Sequence, residues 1–300
     1  MKYLPRKESG QALLLVLLSM SVVLTIVLSI LARSTVDIGV SSRSEESVRA
    51  FSAAEAGIEQ ALVAGPLSGT LANDATFDAK VTDFSSAVTE FVLPSSLYSG
   101  ESATVWFISH DADGNLSCAD GNCFKGKRIK VCWGKENTPD NTDKTPAIEV
   151  SIIYLTSPGV YTTAQIARAV VDPNDSRNNT NKFSDDDGGI CTLGDQSFAF
   201  NKTISFGGGG GFKISPASIY MNVNGLQLAR ISLLYNTDMG HPVYVKVFPV
   251  GGSSLPAQGV AINSSGVSGS STRKVEVIRG FKELPGIFEN AVFSQEGITK

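Results

Sequence analysis

Histidine occurs only twice, as His110 and His241, and the chain contains no Gly-x-Ser-x-Gly and no His-Glu-x-x-His. That sets aside the motif-bearing serine hydrolases and zinc peptidases, though not a carboxylate pair assembled in space as in a glycosidase. The expectation is a protein that is not an enzyme and carries no cofactor. Charge is sparse and mixed: Lys, Arg, Asp and Glu make up 18% of 300 residues, with a formal net charge of −4. A basic surface for nucleic acid is therefore not expected. Residues 11–32 hold no charge, residues 11–63 hold no proline, and between them glycine stands only at Gly39 and Gly57.

What fills those positions is a long helical pattern. The uncharged run spans roughly 33 Å as a helix, the hydrocarbon thickness of a bilayer. Ser19, Ser21, Thr25 and Ser29 dilute its apolarity, but their hydroxyls can bond back to carbonyls one turn earlier. Lys2, Arg6 and Lys7 precede the run and a large domain follows it, which favours a cytoplasmic leader and an external remainder. A cleaved signal peptide fits poorly, because the run is too long and ends in Ile30-Leu31-Ala32. An unprocessed signal anchor is the plainer alternative. Past Ala32 the pattern turns amphipathic, with Val48, Phe51, Ala54, Ile58 and Leu62 at helical spacing, until Gly65-Pro66 stops it. One helix over 11–64 is predicted, transmembrane at 11–32 and amphipathic at 33–64.

The string KESG before QALLLVLLSM, followed by RAFSAAEAGIEQAL, resembles the amino-terminal region of type IV pilin-like proteins, most closely the PilX-type minor pilins. The resemblance covers about the first 64 residues. It implies a leader over residues 1–10, cut by a prepilin peptidase after Gly10, with methylation of the new first residue, Gln11. It further implies other pilins and a pilus assembly platform with its ATPase as partners, an inner-membrane location before assembly, and a cell-surface or pilus location afterwards. Leu13, Val16, Leu17, Met20, Leu24 and Val27 are the residues expected to pack between helices, and Phe51 and Ile58 those expected to seat the head. Major pilins carry Glu at the fifth mature position; here it is Leu15. A carboxylate in lipid is costly unless paired, so its loss favours an initiating or tip subunit, unless this chain's own group dispensed with it. The competing class is a membrane-tethered adhesin that never enters a filament.

Beyond residue 64 strand signals dominate, at 104–108, 128–133, 148–155, 165–171, 197–206, 218–223, 226–234, 243–250, 273–279 and 287–293. The fold class is α+β: the long helix, then a predominantly antiparallel β-rich head of one or two sandwich-like modules. Residues 65–172 read as a first module, 173–195 as a polar linker or loop, and 196–300 as a second module, with one elongated hinged head as the alternative.

Cys118, Cys123, Cys132 and Cys191 all lie beyond the span, and an even count in an oxidising compartment points to disulfides. Cys118 with Cys123 or Cys132 would close a hairpin, leaving one partner for Cys191. Their spacing lacks two Cys-x-x-Cys hooks, against a zinc site. Asp111 and Asp113 in one turn, and Asp185, Asp186 and Asp187 in another, are calcium candidates, although the first loop fails the EF-hand pattern and solvated acidic turns are the plainer reading. The glycine run 207–211 lacks a P-loop ending and reads as a hairpin tip flanked by exposed Phe206 and Phe212.

Overall fold

The computed structural model describes residues 9–283, apart from 112, 120–122 and 209–210. The expected leader at 1–8 and the expected strand at 287–293 lie outside the described residues. The chain opens with α1 (Ser9–Ala64), 56 residues without a break, about 84 Å long. The hydroxyls of Ser19, Ser21 and Thr25 donate to the carbonyls of Val16, Leu18 and Val22 at 2.8–2.9 Å, so these polar groups are satisfied within the helix. It ends where Gly65 enters the left-handed region at φ 82° and donates its N–H to Ala61 O at 3.0 Å, a conformation that glycine adopts without strain.

Fifteen strands follow among the described residues: β1 (Leu67–Thr70), β2 (Thr76–Phe84), β3 (Glu90–Val92), β4 (Ser102–Trp106), β5 (Ser109–His110), β6 (Leu116–Ser117), β7 (Gly126–Lys135), β8 (Ala147–Leu155), β9 (Ala164–Val171), β10 (Cys191–Leu193), β11 (Gln196–Ser205), β12 (Leu226–Leu234), β13 (Val243–Pro249), β14 (Gly259–Ser268) and β15 (Ser271–Gly280). Two short helices, α2 (Asp175–Asn181) and α3 (Ser218–Met221), stand among them. The strand expected at 218–223 is thus a helical turn instead: Ile219 and Met221 donate to Pro216 O and Ala217 O, and Ile219 alone of the turn is buried.

The chain divides into two compact units, residues 9–81 with 262–277 and residues 82–261 with 278–283. The first unit holds α1 and a four-stranded sheet in the order β1-β2-β14-β15. The second holds a five-stranded sheet, β10-β11-β7-β13-β3, and a four-stranded sheet, β4-β12-β8-β9, whose recorded pairings are all antiparallel. Buried side chains from both sheets, among them Val105, Trp133, Ile152, Ile231 and Val245, form one apolar cluster.

This division differs from the expected one at 173–195. Strands from before and after that stretch alternate within both sheets, since β12 lies between β4 and β8 and β7 lies between β11 and β13. Sheet partners are chosen by matching faces rather than by nearness along the chain, which a strand-by-strand reading does not reveal. The stretch itself carries α2 and β10. Asn174 caps α2 by accepting from Arg177 N at 3.2 Å, and Lys182 closes it in the left-handed region at φ 60°. The buried Asp172 carboxylate gathers Arg177 Nε at 2.8 Å, Arg177 Nη2 at 2.6 Å, Asn181 Nδ2 at 2.9 Å and Asn174 N at 3.0 Å. A polar network, not an apolar period, orders this segment.

Candidate functional site

The feature that sets this chain apart is the contrast between the two ends of α1. Every large apolar residue along its first part is exposed. Leu13, Val16, Leu17, Met20, Leu24 and Val27 are 45–69% accessible, and Leu14, Leu15, Leu18, Val23, Ile26, Leu28 and Leu31 on the intervening faces are exposed too. The helix is long and apolar enough to cross a membrane, and none of its most apolar stretch is buried. The six residues singled out from the sequence therefore belong to an apolar surface that runs all round the helix rather than to a distinct stripe. Gly10 and Gln11 lie within α1 near its start.

The other end is seated on the first unit's sheet. Ala50, Ala53, Ala54, Ile58 and Ala61 are buried, with Ile58 and Ala61 packed on Ala79 and Ile262 and Ala53 on Ala75 and Phe77. Gly57 and Gly266 permit this approach. A Cβ on Gly57 would overlap Ser264 Oγ and press on the Phe77 ring at 2.9 Å, and one on Gly266 would overlap the backbone of Ala50 and Ala54. Phe51 is a correction. It is 45% exposed and is not among the side chains of the apolar clusters under the helix, whereas Ile58 is buried in one of them. The seat has a trace in the sequence, the three- and four-residue spacing of Ala50, Ala53, Ala54, Gly57 and Ala61.

Polar contacts fix the upper edge of the seat. Glu46 accepts from the N–H and the hydroxyl of Ser270, both at 3.0 Å, at the turn joining β14 to β15. Those bonds, the backbone one first, hold its carboxyl below the usual range. Arg273 Nε and Nη2 donate to Ser47 Oγ at 2.9 and 2.6 Å.

In the second unit all four cysteines are paired, Cys118 with Cys123 and Cys132 with Cys191. The first pair closes a local loop, and the second ties β7 to β10 across the stretch expected to be a linker. Their sulfurs therefore offer no thiolate ligands to a metal. The acidic candidates are engaged within the protein. Asp111 accepts from the backbone of Asp113 and Asn115 at 3.0 and 2.8 Å, Asp185 from Asn178 Nδ2 at 2.6 Å, Asp186 from Gly188 N at 3.1 Å, and Asp187 pairs with Lys202 at 3.0 Å. No group of three potential ligands able to hold a metal occurs among the described residues. Phe206 and Phe212 are also corrected: both are buried in the main apolar cluster, held by the bonds from Phe212 N to Ser205 O and from Ile214 N to Phe206 O.

The same unit carries a cleft of about 680 Å³ with walls of both signs, including Asp83, Asp111, Arg279 and Lys282. His110 lines it, stacked on Phe281 at 3.8 Å and edge-on to Trp106 at 4.5 Å. Burial lowers the His110 pKa against the opposing effect of Asp111, so the ring is neutral at pH 7. His241 lies elsewhere, buried and accepting at Nδ1 from Lys135 N at 3.1 Å. The two histidines thus have separate settings, one at a cleft and one inside the fold. Comparison of the chain with protein-family profiles, with curated proteins and with solved structures gave no significant match.

Proposed function

We propose that this chain is a minor subunit, initiating or at the tip, of a type IV pilus or a related filament. It is stored in the membrane through the first part of α1 and assembled through the same helix, with its β-rich head outside. The observation that carries the reading is the unbroken 56-residue helix, apolar and uncovered at one end and seated on a sheet at the other. A helix with an apolar surface on all sides needs lipid or neighbouring helices as solvent, and a filament core supplies the second after the bilayer supplies the first. The leader string ending at Gly10 and the pilin-like segment over residues 49–62 support the same reading, as do two disulfides suited to an oxidising compartment. Leu15 in place of a carboxylate suits a subunit with nothing above it to pair with.

The partners of this reading are other pilins, a prepilin peptidase and an assembly platform. Shearing filaments from cells and probing them for this chain tests it. Recovery in the sheared fraction, with filament number falling when the gene is deleted, supports an initiating subunit; retention of all of it in the membrane contradicts assembly.

The second reading is a membrane-tethered β-sandwich adhesin. It draws on the two antiparallel sheets that share one core and on the mixed-charge cleft beside His110. Wild-type filament number in the deletion strain, with loss of surface attachment, favours it.

A further inference from the structure

Five asparagines begin an Asn-x-Ser/Thr sequence with no proline between: Asn115, Asn174, Asn178, Asn201 and Asn263. The fold separates them. Asn174 is buried, and its amide donates to Thr142 O at 3.0 Å. Asn201 is buried, and its amide donates to Gly188 O and Gly189 O, both at 2.9 Å. Asn178 is half-buried and donates to Asp172 O at 2.7 Å and Asp185 Oδ1 at 2.6 Å, inside the network that orders α2. Asn263 is exposed but lies within β14, an interior strand of its sheet, where the backbone is committed to ladder bonds on both sides.

Asn115 is different in each respect. It closes the tight turn from Asp111 at the tip of the β5–β6 hairpin, and it is exposed together with Asp113 and Gly114. Its amide nitrogen makes one long contact, 3.3 Å to Asp111 Oδ2, which little energy is needed to break at an exposed site. An acid stands two residues ahead of it in the run Asp113-Gly114-Asn115-Leu116-Ser117, whereas Ser176, Ala199 and Ala261 hold that place before Asn178, Asn201 and Asn263; Asp172 holds it before Asn174, but both of those residues are buried and Asp172 is bound to Arg177. A carboxylate there gives a transferase a charged handle on the acceptor beyond the Asn and hydroxyl pair, through a charge-assisted contact.

We propose that Asn115 is an acceptor for N-linked glycosylation by an oligosaccharyltransferase that reads the extended acidic sequence. This rests on the reading that the head lies outside the cytoplasmic membrane. The donor is a polyprenyl-diphosphate-linked oligosaccharide. The Asn115 amide nitrogen forms a bond to the anomeric carbon, the bond from that carbon to the diphosphate oxygen breaks, the polyprenyl diphosphate leaves with the electron pair, and the amide gives up one proton to a base.

The full-length protein is produced in cells supplied with such a transferase and a defined lipid-linked oligosaccharide, and tryptic peptides are weighed. The expected result is one glycan on the peptide containing Asn115, absent from Asn115→Gln and Ser117→Ala, kept in Ser117→Thr, and reduced about tenfold in Asp113→Ala through loss of the charged contact. Protease access to the head from outside the membrane is measured on the same cells. An accessible head with Asn115 unmodified, or with the glycan on Asn263 instead, overturns the modification while leaving the topology standing. An inaccessible head overturns both.

Discussion

Gly57 of α1 lies so close to Ser264 of β14 that no Cβ fits between them, and the Ser264 hydroxyl is buried there without a hydrogen-bond partner among the described residues. At Gly57 the seat of the helix is thus a close contact between its backbone and the side chains of Ser264 and Phe77. Gly57→Val forces the Phe77 ring and β14 aside and lowers stability by about 1–3 kcal/mol. Gly39, on the same helix, has open space at its Cβ position, so Gly39→Ala raises helix stability by up to about 1 kcal/mol. Thermal unfolding of the detergent-solubilised protein distinguishes the two; equal shifts of the same sign contradict the seat.

Removing Arg177 strands the carboxylate of Asp172, whose side chain has no exposure. The guanidinium also donates to Thr145 O at 2.8 Å and lies 3.9 Å over the Tyr235 ring. Arg177→Ala is expected to cost about 3–5 kcal/mol, and Arg177→Lys to recover only part of it, because an ammonium cannot reproduce the fork. Burial acts to raise the Asp172 pKa, but the bonds from Arg177, Asn174 and Asn181 outweigh it and hold the value below the ordinary 3.8. The folded value is the lower one, so this stabilisation is complete above the unfolded value and is lost as pH falls through the folded one. Urea midpoints followed into acid should fall more steeply for the wild type than for Asp172→Asn.

His241 supplies a second pH dependence nearer neutrality. Burial first, and the Lys135 charge second, lower its pKa from 6.5 against a smaller effect of Asp238, and Nδ1 must stay unprotonated to accept from Lys135 N. The unfolded chain therefore takes up a proton before the folded one does, and stability drops as pH falls below 6.5. An NMR titration of the ring should place its midpoint below that value. A midpoint above it contradicts the buried, neutral imidazole.

The two disulfides should differ in worth. Cys132–Cys191 spans a sequence separation of 59 and Cys118–Cys123 one of 5. Loop-closure entropy then assigns about 4 kcal/mol to the first and about 2 kcal/mol to the second. Paired Cys→Ala variants compared by urea denaturation check the ranking, and an equal loss for both contradicts it.

Much of the framework was legible because its signals are local. The uncharged run, the missing proline and the Gly65-Pro66 stop define α1, and β-branched runs such as 148–155 mark the inner strands. β14 escaped notice because its sequence, rich in Ser and Gly, lacks strand propensity; Gly266 is small for the sake of the helix against it, a constraint visible only once both are in place. Size alone does not mark the buried face, since Phe51 is exposed while Ala50, Ala53, Ala54, Ile58 and Ala61 are buried. Hydrogen bonds around Asp172 order the first part of the stretch 173–195, and a polar network leaves no periodic trace in the sequence. The cleft beside His110 draws residues from 83 to 282, and no local pattern could have assembled it.

The central claim is that α1 is made as a membrane-stored helix behind a removable leader. The most direct test is the intact mass of the protein purified from its own membranes, with amino-terminal peptide sequencing. A mature chain that begins at methylated Gln11 is the expected result. A chain that keeps residues 1–10 in the membrane contradicts the claim.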